Sequence, residues 1–349
     1  MQAMAAQHIV VIGASAGGVE SLLTLAASLP ADFPAPILVV LHVAAGGPSL
    51  LPQLLRGRGP LPAAHAQDQE PLMPGHIYVA PPDHHLLVEP GRVAVTRGPK
   101  ENRFRPSVDA LFRSAAYVYG PAVIGAVLSG TLDDGTSGLW TVKRRGGVAV
   151  VQAPDDALFP EMPLNALQQV DVDHVVPVAG LGALLTRLVS RPDQGEDRMN
   201  EEERQRLEAE VRIAAEHNAL QSGIMGMGDL SPLTCPECHG TLVRLTEGRN
   251  VRYRCHTGHA FTANALLAGV NESVEDTLWN AVRVLEENTM LLQQLGEYYA
   301  GLGETHTAEL LFDKAHESQE RTRQVRAILL RHDSLSEPVF QPEPGRDPG

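Results

Sequence analysis

The sequence predicts an α/β fold: a doubly wound, mostly parallel sheet with an antiparallel hairpin, followed by a small cysteine-containing ribbon and an α-helical hairpin. Short runs of aliphatic and β-branched residues alternate with amphipathic helical patterns from His8 to about Arg191. Such alternation is typical of a parallel sheet that is covered by helices on both faces. The runs are HIVVIGA, ILVVLHV, HIYVAP, AVIGAVLSG and GGVAVVQA.

One segment departs from this alternation. In HLLVEPGRVAVTR, two alternating runs flank Glu89, Pro90 and Gly91 at the spacing of a β-hairpin. We therefore expect an antiparallel hairpin at one edge of the sheet.

Changes in composition divide the chain into five segments. The strand pattern stops and charge rises in RPDQGEDRMNEEERQRLEAE, so an α/β domain at residues 1–191 precedes a charged linker and helix at 192–230. The cysteines define a module at 231–262. Apolar residues then recur at helical intervals, which predicts a helical hairpin at 263–332 and leaves a tail at 333–349, rich in proline and charge, that we expect to be disordered. The first helix of that hairpin is indicated by Leu267, Val270, Val274, Leu278, Val282 and Leu285.

Composition excludes some partners. The chain has 349 residues and a formal net charge of -14, so it lacks the clustered Lys and Arg with which proteins bind nucleic acid. No apolar run approaches the ~18 residues of a membrane span, and the N-terminus has no signal-peptide pattern. We expect a cytoplasmic protein that binds no nucleic acid and does not insert directly into a membrane.

A serine follows the first predicted strand. Gly13, Ser15 and Gly17 fit the pattern G-x-S-x-G, in which a tight turn projects the serine hydroxyl at the carboxyl end of a strand. The backbone N–H of Ala16, at the start of the next helix, could stabilise an oxyanion. A glycine-rich turn also suits a dinucleotide, but dinucleotide folds place an acidic residue after the second strand, where this chain has His42.

Two more polar residues follow predicted strands. His42 ends the run PAPILVVL, and Asp134 follows AVIGAVLSG. The carboxyl ends of parallel strands lie at one edge of a sheet, where ligand crevices form. Ser15, His42 and Asp134 could therefore meet there as a nucleophile, a base and an acid that orients the base. Their order along the chain differs from the Ser, Asp, His order of α/β-hydrolases.

Six motifs occur in order along residues 8–190: VIGASAGGVESL, VVLHV, IYVAPPDHHLLV, RPSVDALFRSAA, LSGTLDDGTSGL and QAPDDALFPEMPLNA. Together they resemble the catalytic domain of the chemotaxis protein-glutamate methylesterases. The resemblance implies hydrolysis of glutamate γ-methyl esters, and deamidation of glutamines, on a methylated chemoreceptor or receptor-like protein. It assigns Ser15 as nucleophile, His42 as base and Asp134 as orienting acid, with the N–H groups of Ala16 and Thr131 holding the oxyanion.

The sequence departs from this family in three ways. Familiar members carry a receiver domain before the esterase, and the seven residues ahead of His8 leave no room for one, so we expect no control by phosphorylation in cis. Ala16 replaces the usual Thr or Ser after the nucleophile. The usual Gly-Met-Gly-Asn run is here Gly-Thr-Leu-Asp, so that Asp133 falls at a usually amidic position.

All three cysteines lie close together in the sequence. The spacing C-x2-C, sixteen residues, C-x3-H predicts two knuckles on one tetrahedral Zn²⁺. Because three thiolates and one imidazole close the coordination shell, this Zn²⁺ would be structural, and we expect no cofactor for catalysis. His256 is an alternative fourth ligand, but Gly258 supplies a turn that favours His259. The predicted ligands are Cys235, Cys238, Cys255 and His259.

The cysteine module has too few apolar side chains to build a core, so the metal would supply much of its folding free energy. With the helices that follow, it resembles a zinc-ribbon extension on some receiver-less members of the family, which implies an interaction module whose helices bind a regulatory protein. We expect chelation to unfold this module and leave esterase activity largely intact, because the two cores appear separate.

Two alternatives to the receptor methylesterase stay open. One is a catalytically weak adaptor that binds receptor tails through the same surface. The other is a small-molecule serine esterase, which would hydrolyse simple esters well without any receptor.

Overall fold

The computed structural model describes residues 8–43, 46–47, 49–191 and 195–331. The tail predicted to be disordered, 333–349, lies outside these residues. The chain forms two compact units, Met1–Leu266 and Leu267–Gly349. Within the described residues, no helix is both long enough and apolar enough to cross a membrane.

A seven-stranded parallel sheet forms the centre of the first unit. The first nine strands of the chain are β1 (Ile9–Ala14), β2 (Ile37–Leu41), β3 (Ala63–His65), β4 (Ile77–Val79), β5 (His85–Glu89), β6 (Arg92–Thr96), β7 (Val123–Val127), β8 (Val148–Gln152) and β9 (His174–Val176). The order across the sheet is β3-β4-β2-β1-β7-β8-β9. Every residue of β1 is buried, as expected of a central strand with helices on both faces.

Six helices cover this sheet. They are α1 (Gly18–Ser28), α2 (Leu51–Arg58), α3 (Val108–Tyr119), α4 (Thr136–Arg144), α5 (Glu161–Gln169) and α6 (Val178–Val189). The apolar residues of α1, α2 and α6 pack with one face of β1, and those of α3, α4 and α5 pack with the other. The predicted doubly wound α/β fold is confirmed.

The predicted hairpin is present as β5 and β6, joined by Pro90 and Gly91, whose φ of 75° suits glycine in the tight turn. Contrary to our expectation, it does not extend an edge of the main sheet. It forms a separate two-stranded sheet, and Leu86, Val88 and Val93 pack it into the core that contains α3.

A third sheet, of four strands, follows the linker. Helix α7 (Glu201–Ala214) begins with a capping box in which Asn200 and Glu203 satisfy each other's backbone N–H groups. The strands β10 (Asp229–Thr234), β11 (Thr241–Glu247), β12 (Asn250–Cys255) and β13 (Ala260–Thr262) then form an antiparallel sheet in sequence order. We call residues 229–262 the ribbon.

The ribbon and the α/β domain share a buried network of charges. Three arginines, Arg113 of α3 with Arg252 and Arg254 of β12, are among the largest fully buried side chains. Three buried glutamates, one each from the α/β domain, α7 and the ribbon, balance them: Glu101, Glu210 and Glu247.

The ion pairs of this network cross between the modules. Arg254 donates to Glu101 at 2.7 Å and to Glu210 at 3.1 Å, while Arg113 donates to the second carboxylate oxygen of Glu101. Arg252 donates to Glu210 at 2.8 Å. The apolar cores of the two modules are separate clusters, but buried ion pairs such as that of Arg254 with Glu101 join the modules.

The second unit is a helical hairpin. Helix α8 (Ala263–Gly301) begins within the first unit, and α9 (Thr305–Leu329) returns beside it. The two helices are joined by a hydrogen bond of 3.1 Å from the Ser318 hydroxyl to the carbonyl of Leu285, and by an ion pair of 2.6 Å between Arg326 and Glu286.

Arg254→Met tests the charge network. Removing one member of a buried ion pair leaves its partners charged and unpaired, so the free energy of unfolding should fall by about 3 to 5 kcal/mol. Arg92→Met, which breaks the exposed pair with Glu89, should cost under about 1 kcal/mol. Urea unfolding of both variants measures the difference, and equal losses would contradict the network.

Candidate active site

The three strands that precede the predicted site residues are neighbours, since β1 lies between β2 and β7. The chain leaves β1 towards β2 on one side and later returns to β7 on the other side. The carboxyl edge at β1 is thus the switch point of the sheet, where α/β proteins bind ligands. Ser15 and His42 directly follow the paired residues Ala14 and Leu41, so their backbones continue adjacent strands.

The turn after β1 holds Ser15 at this edge. Ser15 N–H donates to the carbonyl of Ser129 at 3.0 Å, and the Ser129 hydroxyl donates to the carbonyl of Ala16 at 2.8 Å. Gly17 has φ of 70°, and a Cβ there would lie 2.7 Å from the Ser129 hydroxyl, so the turn requires glycine. Ser129 thereby fastens the serine turn to the end of β7.

His42 lies nearly buried between two partners. Its Nε2 lies 2.8 Å from Oδ2 of Asp134, and the imidazole side chain is only 4% exposed. The ring stacks on Phe104 with 3.8 Å between centroids and 7° between planes. The other ring nitrogen, Nδ1, is buried and has no hydrogen-bond partner within the described residues. The imidazole is therefore fixed in position with one nitrogen unused.

Asp134 is held by a set of donors. Besides His42, its carboxylate accepts from the first two N–H groups of α3, those of Val108 at 2.7 Å and Asp109 at 3.2 Å. The positive end of the helix dipole favours the negative charge there. Side-chain donors complete the set, with the Ser107 hydroxyl at 2.9 Å and the Asn102 amide at 2.8 Å.

These donors decide the ionisation of Asp134. Burial alone would raise the pKa of this carboxyl, but the hydrogen bond and charge of His42, with the donors Asn102 and Val108, outweigh it and lower the pKa to about 2. Asp134 is therefore an anion throughout the neutral range. A carboxylate bonded to one imidazole nitrogen fixes the tautomer that leaves the other nitrogen free to accept a proton.

Two neighbouring carboxyls behave differently. Burial raises the pKa of Asp133 to about 6, although the Thr262 hydroxyl donates to it at 2.7 Å. Burial and the charge of Asp134 raise the pKa of Asp109 well above its usual range. Asp109 accepts from the N–H groups of Gly135 and Gly138, so it also caps α4.

The loop after β7 contains the second predicted oxyanion donor. The amides on either side of Thr131 are used, since Gly130 N–H donates to the carbonyl of Phe159 and Leu132 N–H donates to Glu161. Within the described residues, the N–H groups of Thr131 and Ala16 have no acceptor. Both amides could therefore donate to a bound group.

Sequence reasoning missed several residues of this site. It did not find Asn102, Phe104, Ser107 or Ser129, each of which contacts a predicted site residue or its turn. Asn102 and Arg103 have φ of 52° and 73°, and Glu101 and Phe104 pair across them, so residues 101–104 form a tight turn. An asparagine in a left-handed turn was the one available signal.

The predicted metal ligands lie together in the ribbon. Sγ of Cys238 lies 3.6 Å from Sγ of Cys255, and Nδ1 of His259 lies 3.6 Å from Sγ of Cys255 and 3.8 Å from Sγ of Cys235. All four atoms lie within 4.8 Å of one another, which is close enough to hold a metal ion. His256 lies outside this group, beside Gly240.

Known proteins are similar in sequence to the α/β domain. The sequence model of the CheB methylesterase family matches residues 10–185. The protein-glutamate methylesterase/protein-glutamine glutaminase 4 of Myxococcus xanthus is 41% identical over 179 residues, and the match covers 51% of each chain. A putative protein-glutamate methylesterase/protein-glutamine glutaminase of Leptospira interrogans is 37% identical, and the match covers 51% of this chain and 93% of that protein.

A solved structure is also similar to this domain. The crystal structure of the CheB methylesterase catalytic domain of Thermotoga maritima is 34% identical, with a TM-score of 0.50, and the match covers 52% of this chain and 98% of that one. The parallel sheet with a polar site at its carboxyl edge thus has the fold of a methylesterase catalytic domain. The chain belongs to the CheB methylesterase family. It spans about half the length of the Myxococcus relative.

Asp133→Asn tests the electrostatics beside the site. Because the folded pKa of Asp133, about 6, lies above the unfolded value, this group favours folding below about pH 4 and loses that contribution as the pH rises through 6. Asparagine keeps an oxygen for Thr262 but carries no charge. We expect the free energy of unfolding to rise by about 1 to 3 kcal/mol at about pH 8, with little change at about pH 4.

The measurement is urea unfolding at both pH values, with Asp32→Asn as the matched control because Asp32 is exposed. A gain of equal size at both pH values would contradict the raised pKa.

Proposed function

We propose that this chain hydrolyses glutamate γ-methyl esters, and deamidates glutamines, on a methylated chemoreceptor or receptor-like protein. The observation that carries the proposal is the buried pair of His42 and Asp134, joined at 2.8 Å beside the serine turn of a CheB-type domain. The names of the relatives, protein-glutamate methylesterase/protein-glutamine glutaminase, supply the reaction and the substrate class.

Each residue has one role in the proposed reaction. Ser15 Oγ attacks the ester carbonyl, and the imidazole of His42 takes its proton through Nδ1, the nitrogen that Asp134 leaves free. The N–H groups of Ala16 and Thr131 hold the oxyanion. His42 then gives the proton to the leaving methoxide, which departs as methanol, and water resolves the acyl-enzyme by the same route.

The surface beside Ser15 suits a protein substrate. Leu158 and Phe159 are 69% and 40% exposed, and their side chains lie next to Gly17 of the serine turn. An exposed apolar pair beside a nucleophile favours contact with another macromolecule over a small polar ester. This observation favours the receptor methylesterase over a small-molecule esterase, and the complete set of reactive groups favours an enzyme over an adaptor.

Ser15→Ala should abolish methanol release from methylated receptor, because the nucleophile of the acyl-enzyme is removed. We expect kcat to fall by about 10⁴ to 10⁶-fold, and Asp134→Asn to lower it by about 10⁴-fold. Ser190→Ala, at the exposed C-terminal cap of α6, serves as the matched control. Wild-type protein that releases no methanol, or Ser15→Ala that remains active, would refute the proposal.

We also propose that the ribbon holds a structural Zn²⁺ through Cys235, Cys238, Cys255 and His259. A tetrahedral site with Zn–S bonds of ~2.3 Å has edges of ~3.8 Å between ligand atoms, close to the 3.6 to 3.8 Å between the ligand pairs above. The ion would join the knuckle before β11 to the one between β12 and β13. The role of the ion would be to crosslink the chain, because four protein ligands leave no coordination position for a substrate.

The two histidines of the second knuckle provide a matched test of this metal site. We expect His259→Ala to lower the zinc content from about one ion per chain to well below one, and His256→Ala to leave it unchanged, because only His259 lies with the thiolates. Elemental analysis of freshly purified protein measures the content. Equal zinc content in the two variants would contradict the assigned ligand.

A further inference from the structure

One side chain joins the ribbon to the candidate triad. The amide nitrogen of Asn102 donates to Asp134 at 2.8 Å and to Asp109 at 2.8 Å. The amide oxygen of Asn102 accepts from the backbone N–H of Thr262 in β13 at 2.8 Å, and its backbone N–H donates to the carbonyl of Ala260 at 2.7 Å. Asn102 is 3% exposed, so water does not compete for these bonds.

Building on the proposed function, we propose that Asn102 is a positioning residue for hydrolysis: docked on β13, it holds Asp134 in the orientation that aligns His42. The ribbon is then part of the esterase, because its strand supplies the backbone partners that orient the Asn102 amide.

The amide chemistry at this position is specific. Two carboxyl groups, those of Asp109 and Asp134, face the same nitrogen, and an NH₂ group has one hydrogen for each. The oxygen of the same amide is needed for Thr262 N–H. No other uncharged side chain of this size offers two donors and one acceptor in this arrangement.

The turn that carries Asn102 also supports the base. Phe104, at the end of the turn, stacks on the imidazole of His42 at 3.8 Å. Glu101, at its start, is held by Arg254 of the ribbon at 2.7 Å. One short loop therefore fixes both members of the His42–Asp134 pair, and the ribbon fixes the loop at both Glu101 and Asn102.

The consequence for catalysis follows from this geometry. If Asn102 is lost, Ser15, His42 and Asp134 all remain, but Asp134 loses one donor and the loop loses its hydrogen bond to Thr262. Misplacement of a catalytic group by about 1 Å lowers the rate about 100-fold without altering what binds the substrate. The defect should therefore fall on kcat, while KM changes little.

Two variants separate positioning from folding in the full chain. Asn102→Gly keeps the left-handed backbone and removes the amide. Asn102→Asp keeps an oxygen for Thr262 N–H, and hence the docking on β13, but replaces the NH₂ donor. Gln69→Gly, at an exposed residue that also has positive φ, is the matched control for kcat and KM.

We expect both Asn102 variants to lower kcat by about 10 to 100-fold with KM within about threefold, and Gln69→Gly to change neither. The defect of Asn102→Asp should be smaller at low pH, because a protonated carboxyl regains a donor towards Asp134. Ionisation of the introduced carboxyl would also lower the free energy of unfolding, so urea unfolding at each pH must show that the variant is folded where kcat is compared. Values of kcat within twofold of wild type for both variants, or a pH-independent loss in Asn102→Asp, would overturn the proposal.

A spectroscopic readout separates this inference from the proposed function. The proton between His42 Nε2 and Asp134, whose two atoms lie 2.8 Å apart, should give a low-field ¹H NMR resonance that needs no substrate. We expect it in wild type and in Ser15→Ala, and shifted or lost in Asn102→Gly. If wild type lacks esterase activity, the proposed function fails and this resonance still decides the positioning role, since an unchanged signal in Asn102→Gly overturns it.

Discussion

A charged carboxylate can be buried only if donors surround it, and much of the first unit is arranged to meet that requirement at Asp134. The N-terminus of α3 supplies two backbone donors, and Ser107, Asn102 and His42 supply side-chain donors. Each donor must itself be held in place, so the requirement extends outward to the turn at 101–104 and on to the ribbon. The order of β2, β1 and β7 in the sheet brings the pair to the edge where Ser15 lies.

Much of this arrangement could be predicted from the sequence. The alternation of apolar runs and helical patterns predicted the parallel sheet, and the polar residues after β1, β2 and β7 predicted which groups would meet at its edge. The structure brings His42 and Asp134 into contact and sets Ser15 on the neighbouring strand. Cysteine spacing likewise predicted the cluster in the ribbon. The sheet and the contact of His42 with Asp134 could be predicted because they follow from local periodicity and from the geometry of parallel sheets, whereas the catalytic roles of the three residues stay predictions.

The link between the modules could not be predicted in the same way. In β12, Arg252 and Arg254 alternate with less polar residues, a pattern that normally indicates a solvent-facing side of a strand. They are buried because their counter-charges, Glu101 and Glu210, come from distant parts of the chain. Nor does any periodicity mark Asn102, whose importance depends on a backbone partner at residue 262. Single-sequence patterns do not show such long-range pairings.

The buried charges also bear on how such a chain can change during evolution. Three arginines and three glutamates, drawn from the α/β domain, α7 and the ribbon, neutralise one another away from water. An exchange of the ribbon for an unrelated module would remove Arg252, Arg254 and Glu247, so that Arg113 alone would face the two carboxylates of Glu101 and Glu210. A module that replaced the ribbon would therefore have to supply a buried positive charge at the same place.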